Sequence, residues 1–388
     1  MARSRIADAP GNATANALPA RLARARAPLR LGLAGGGTDL PSYAGRFGGA
    51  VLNATIDRYA FASVAARGDG WLVFDACDLE RTETHRPAPR LPDSALDLHR
   101  GVYERTMRDY NEGVPLALTV TTSVDAPLGS GLGSSSALVV ALVEAYAAFL
   151  GRSLTPRQAA VLACDIERRE LGLAGGRQDQ YAAAYGGVNM MRFPPRGDVV
   201  VDRLRLDPAV TRELEASLVL SFSGQARASA RIIAEQARNL DADRAAALDG
   251  MHRLKAGVAA MRDALLAGDL AAFAAALDRS WQAKKQTAGG IVTAETERLE
   301  SLARSAGAMA VKVSGAGGGG FVMCLVPPEQ RARLIARLHA AGSPTYPVRL
   351  TGEGSEAWVV HRSTLIPPAE ETPRASFAAA RSPHPVPA

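Results

Sequence analysis

The chain has 388 residues, 47% of them apolar and 5% aromatic, which accommodates two domains or one large one built around an aliphatic core. Its net charge of +6 is almost wholly arginine: Lys255, Lys284, Lys285 and Lys312 are the only lysines among 45 basic residues. The arginines are interleaved with acids, no stretch approaches the ~18–20 apolar residues of a membrane span, and the basic N-terminus lacks a secretory h-region. A nucleic-acid or membrane partner is therefore not expected, and the expected location is the cytoplasm.

Residues 1–24 read as a disordered tail, as does the proline-rich segment 366–388. An N-terminal domain is expected over 25–205 and a C-terminal domain over 206–365, parted near the Pro194–Gly197 turn. In chain order, LRLGLAG, AVLNATIDRYAFASVAAR, WLVFDAC and LALTVTTSV read as strands. Helices follow over 134–150 and 156–171, the second with Thr155 as N-cap and Pro156 at its first position. VNMMRF is a further strand. The second half reads as a strand (SLVLSFSG), helices over 227–266 (with breaks) and 270–286, and a strand–glycine loop–strand near 308–326. A helix over 328–341 and a strand over 356–361 complete an α+β pattern. Cys77, Cys164 and Cys324 are too widely spaced for a disulfide framework or a zinc site and read as small buried hydrophobes.

Three glycine-rich segments stand out: GLAGGGTD at 32–39, PLGSGLGSSSA at 127–137 and SGAGGGGF at 314–321. None is a G-x-x-x-x-G-K-[ST] loop, which excludes a P-loop nucleotidase. The third satisfies G-x-G-x-x-G, but a strand follows it where a dinucleotide fold needs a helix. The second opens an apolar helix whose unpaired N–H groups and positive dipole end suit a polyphosphate, although an ordinary loop with a serine cap reads equally well. Glu167, on the next helix, and Asp179, in a glycine-flanked turn, supply two carboxylates. Phosphoryl transfer needs a magnesium ligand beside the phosphates and a carboxylate that positions the acceptor hydroxyl.

In this order the three segments resemble the GHMP kinase superfamily, over roughly residues 24–365. RAPLRLGLAGGGTDLPSYAGRFGGAVLNATI, GGRQDQYAAAYGG, SFSGQARASARII and SWQAKKQ are similar to the D-glycero-D-manno-heptose 7-phosphate kinases within it. The resemblance implies an N-terminal domain like the second domain of ribosomal protein S5 and a ferredoxin-like C-terminal domain, with ATP between them. It further implies a nucleotide loop of Pro127, Gly129, Gly131, Leu132, Gly133, Ser134, Ser135 and Ser136, met by Gly315, Ala316 and Gly317. By the same resemblance Ser135 and Glu167 hold Mg2+, Asp179 takes the hydroxyl proton with Arg30 beside it, and Thr38 and Asp39 meet the sugar, mainly Asp39. Arg177, Gln178, Lys284 and Lys285 are further substrate candidates, with Arg227 and Arg231 as alternatives for the substrate's own phosphate; any one of these cations alone reads more readily as surface charge. The implied reaction is transfer from ATP to the anomeric hydroxyl of the heptose 7-phosphate, for nucleotide-activated heptose synthesis, in an enzyme that could form a homodimer. The rival readings are a kinase of L-fucose or a hexose, and a silent GHMP-like sugar sensor.

Overall fold

The computed structural model describes residues 21–127, 129–224 and 229–360. Among these residues twelve strands form two sheets. They are β1 (Leu22–Ala34), β2 (Gly49–Ala66), β3 (Leu72–Ala76), β4 (Arg81–His85), β5 (Leu118–Val124), β6 (Val188–Phe193), β7 (Val200–Leu204), β8 (Leu218–Phe222), β9 (Ala310–Val313), β10 (Phe321–Leu325), β11 (Thr345–Pro347) and β12 (Glu356–Val360). The larger sheet runs β12-β1-β2-β5-β3-β4, with β6 on the far end of β2 and β7 beside β6. Every pair in it is antiparallel except β3–β5. The smaller sheet, β11-β8-β10-β9, is antiparallel throughout.

The helix Ser134–Phe149 lies across β1 and β2 and buries thirteen of its sixteen residues. Beyond its serine first turn it is apolar all round except at Glu144, as suits a helix enclosed by other elements. Its surroundings form a large core that also takes in Val258, Phe273, Phe321 and Met323 from the second half of the chain. A smaller core around Trp281, Ile291, Val311 and Leu334 serves the second sheet. Among the described residues no helix is long and apolar enough to cross a membrane.

Two expectations about chain organisation need correction. Residues 22–24 are not tail but the first positions of β1, with Leu22 opposite Val360 and Arg24 opposite Trp358. The strand β12, assigned to the second domain, completes the first domain's sheet, so 205 does not divide the chain cleanly. An edge strand satisfies its backbone groups by pairing, whatever its distance along the chain. Arg21 is also ordered against the fold, donating to the Ala148 carbonyl at 3.0 Å, while residues 1–20 and 366–388 lie outside the described residues. The helices Pro41–Phe47, Asp97–Tyr110, Gln178–Tyr185, Pro208–Ser217 and Ala294–Ser305 and the strands β4, β7 and β11 were not anticipated.

Candidate active site

A cleft of about 500 Å³ opens where the three glycine segments meet. Local backbone geometry aims Arg30 into it. The β1–β2 ladder shifts register between Pro28 and Arg30 and again between Gly32 and Ala34, and such bulges re-aim side chains. The guanidinium then grips Asp179 with both arms, Nε to Oδ1 at 2.7 Å and Nη2 to Oδ2 at 2.8 Å, while Nη1 donates to the Gly131 carbonyl at 2.6 Å. This fork-on-carboxylate pair fixes the plane of Asp179 and ties it to the loop 129–133. Asp179 stands in the first turn of the helix Gln178–Tyr185, not in a free turn as its glycine flanks suggested.

That loop leads directly into the buried helix. Gly133, at φ +74°, is the N-cap, and no side chain caps the helix. The serine cap of the ordinary-loop reading is therefore absent, and the first-turn N–H groups keep their capacity for an anion. Gly131 allows the second segment to touch the third: at φ +78°, an added Cβ would stand 2.5 Å from the Ser314 carbonyl. The Ser314 hydroxyl also donates to the Gly131 carbonyl at 2.9 Å.

Glu167 sits in a π-helical turn, Asp165–Glu170, that widens the end of the helix Pro156–Cys164. Its side chain is 1% exposed. It accepts from Ser135 Oγ at 3.1 Å and from the Gln180 amide, so a hydroxyl and a carboxylate oxygen converge beside the loop. Asp39 is likewise held, by the Gln178 N–H at 3.1 Å, the Gln178 side-chain amide at 2.9 Å and the Gly37 N–H at 3.3 Å. Burial, then the nearby charge of Asp179, raises its pKa. Burial also lowers Lys284 to about 8, despite the opposing pull of Asp39. Its ammonium donates to the Gly36 carbonyl at 2.9 Å.

The structure brings Arg30, Asp39, Gly129, Gly131, Gly133, Ser134, Ser135, Ser136, Glu167, Gln178, Asp179, Lys284, Gly315 and Ala316 to the cleft. Other candidates lie elsewhere. The Thr38 hydroxyl is spent on the carbonyls of Gly35 and Ala50, a buried brace under the first glycine segment. Lys285 pairs with Glu300 at 3.0 Å and lies over the Trp281 ring. Arg177 sits 5.7 Å from the Phe193 ring centroid. Arg231 is exposed, and Arg227 falls outside the described residues. Gly317 packs against Ile291. Pro127 and Leu132 line a second, smaller cleft of about 130 Å³ with Ile56, Phe222, Phe321 and Tyr346.

Sequence reasoning missed Lys312, Arg168 and Gly176. Lys312 was visible as a lone charge within the apolar run AVKV that precedes a glycine loop. Arg168, which braces the carbonyls of Leu173 and Gly176, gave no such signal.

Residues 97–187 match the GHMP kinases N terminal domain and residues 261–343 the GHMP kinases C terminal domain. A D-glycero-alpha-D-manno-heptose 7-phosphate kinase of Campylobacter jejuni is 38% identical over 336 residues, 86% of this chain and 98% of the relative. The chain belongs to the GHMP kinase family. It is a phosphotransferase with ATP as phosphate donor. Among solved GHMP kinases, a D-glycero-D-manno-heptose 1-phosphate kinase from Bacteroides thetaiotaomicron superposes with a TM-score of 0.74 at 35% identity, covering 87% of this chain and 99% of that one. Galactokinase of Lactococcus lactis shares the fold at 18% identity, with a TM-score of 0.68 and coverage of 86% and 95%.

Proposed function

We propose that this GHMP kinase transfers the terminal phosphoryl group of ATP to the anomeric hydroxyl of D-glycero-D-manno-heptose 7-phosphate, a reaction suited to the cytoplasm. One observation carries the reading. The forked Arg30–Asp179 pair stands between a phosphate-receiving helix N-terminus and a buried Asp39 held by three N–H donors. The relatives named for heptose phosphates support the acceptor class.

The nucleotide's phosphates fit the loop 129–133 and the first turn of Ser134–Phe149. Its base fits the aromatic cleft on the other side of the loop, lined by Phe222, Phe321 and Tyr346. Asp39 and Gln178 meet sugar hydroxyls, and Lys284 adds a cation on that side. Asp179 keeps a lone pair on each oxygen beyond those that Arg30 occupies, enough to accept the acceptor's proton. An anomeric hydroxyl is more acidic than an ordinary alcohol, so most of the acceleration comes from positioning and charge neutralisation.

The residues present fit magnesium. Ser135 Oγ and Glu167 Oε1 lie 3.1 Å apart as hard oxygen donors. Magnesium commonly takes one or two protein oxygens and completes its shell with water and phosphate. Bound there, it would neutralise phosphate charge.

The deciding experiment measures ADP release with Mg2+ over a panel of acceptors. It comprises D-glycero-D-manno-heptose 7-phosphate, the corresponding 1-phosphate, sedoheptulose 7-phosphate, mannose 6-phosphate, L-fucose and galactose, with NMR of each product. The expected result is selective formation of the 1,7-bisphosphate from the 7-phosphate. Turnover of fucose or galactose alone would overturn the heptose assignment and leave the kinase chemistry. Silence across the panel would favour a sugar sensor.

A further inference from the structure

Among the described residues, Lys312 is the cation of the cleft that lacks an acid. It belongs to β9, all four residues of which are buried, and its side chain reaches the cleft from beneath the third glycine segment. The ammonium donates to the Gly32 carbonyl, a neutral acceptor. The charges that act on it are Lys284, from the helix Leu270–Lys285, and Arg30, from β1, both cationic. Arg30 is committed to Asp179, and Lys284 lies within the field of Asp39. Among the described residues no carboxylate pairs with Lys312. Burial, with Lys284 and Arg30 adding to it, lowers the ammonium to about 7. A buried ammonium is costly unless an opposite charge reaches it, so a site built this way is completed by an anion that arrives with the ligand.

Position selects the anion. Lys312 stands two residues before Ser314, which touches Gly131 of the nucleotide loop, so it is anchored at the seam between the two glycine segments. Its hydrogen bond to Gly32 places it two residues along β1 from Arg30, beside the pair that marks the transfer point. Lys284, by contrast, is anchored at Gly36 on the Asp39 side. We infer that Lys312 is a further catalytic residue, whose ammonium contacts the oxygens of the phosphoryl group passing from nucleotide to acceptor. The inference rests on the kinase reading above and deepens it. The bond from the γ-phosphorus to the bridging oxygen of ADP breaks, the bond to the acceptor oxygen forms, and the hydroxyl proton goes to Asp179. Lys312 forms no covalent bond; it stabilises charge on the non-bridging oxygens throughout.

The same chemistry could serve the acceptor's own phosphate, and a nucleotide-only measurement separates the two. Titration calorimetry with Mg2+ would compare AMP-PNP with ADP in wild type, Lys312→Met, Lys312→Gln and Lys312→Arg. Loss of a charge-assisted contact should weaken AMP-PNP about 10-fold more than ADP in the Met and Gln variants, with much of the preference restored in Arg. With whichever acceptor the wild type uses, kcat should fall about 100-fold in Met and Gln while acceptor KM stays within about threefold. Melting temperatures at or above wild type would show that these variants fold. An AMP-PNP to ADP ratio unchanged in all three variants would overturn the inference. So would a loss confined to acceptor KM and absent for an acceptor without a second phosphate, which would assign Lys312 to the acceptor's own phosphate. A wild type inert toward the heptose phosphate but active on another sugar would overturn the acceptor assignment alone, because the nucleotide comparison needs no acceptor.

Discussion

Asp179 and Asp39 are two carboxylates of one cleft with different surroundings. The first is gripped by a guanidinium and stands open to the cleft; the second is buried and held by amides. Asp179→Asn retains the shape but removes the proton acceptor and one partner of Arg30. Its kcat should fall about 10³-fold with AMP-PNP affinity within about threefold, as read by single-turnover kinetics and calorimetry; a variant retaining a tenth of wild-type kcat would refute the base role. Asp39 depends on Gly176, where an added Cβ would stand 1.8 Å from its Oδ2. Gly176→Ala must therefore displace the carboxylate, and acceptor KM should rise about tenfold or more while the KM for ATP holds. An unchanged acceptor KM would remove Asp39 from sugar binding. At this scale the sequence showed both aspartates but could not separate Lys284 from Lys285. Successive helical residues point about 100° apart, so one ammonium faces the cleft and the other Glu300.

At the scale of elements, the helix Ser134–Phe149 carries a carboxyl whose ionisation its apolar surroundings disfavour. Burial raises Glu144 to about 7, against a small opposing effect of the Ser355 hydroxyl that donates to it at 2.9 Å. Its folded pKa lies above the unfolded value, so it favours folding below about pH 4.5 and loses that contribution as pH rises through 7. Glu144→Gln keeps an acceptor for Ser355 without the charge. Its melting temperature should match wild type near pH 5 and exceed it at pH 8; a constant difference across that range would exclude Glu144 as the titrating group. The helices 134–150 and 156–171 were legible because their apolar runs are local signals, as is the cap of the second, where Thr155 does form a capping box with Gln158. Gln178–Tyr185 was not, because eight residues between glycine pairs give too short a pattern to separate from a turn. Likewise nothing in the sequence announces that the second helix widens into a π turn at Asp165–Glu170, the distortion that carries Glu167.

For the whole molecule, the cleft exists because the second half of the chain inserts cations under the glycine segments of the first. Lys284 donates to Gly36 and Lys312 to Gly32 across that boundary. Burial lowers Lys284 to about 8 from 10.5, so between those pH values the unfolded chain binds more protons than the folded one. Wild-type stability should therefore rise through that window while turnover falls as the ammonium is lost. Lys284→Met should melt higher than wild type at pH 7, show a shallower rise from pH 8 to 10, and bind acceptor about tenfold less tightly. A lower melting temperature at pH 7 would mean that the ammonium holds the two halves together rather than serving the ligand. By itself the sequence determined the order of glycine segments, the helices with strong caps, the kinase chemistry and most of the polar residues at its centre. The first two follow from local backbone permissiveness and residue type, the last two from the resemblance that the glycine segments carry. Only the tertiary structure decided that β12 returns to close the first sheet, that Thr38 is a brace and Lys285 a surface partner, and that Lys312 belongs to the site. Each depends on contacts between residues far apart in the chain, and no local periodicity encodes which distant neighbour a side chain will meet.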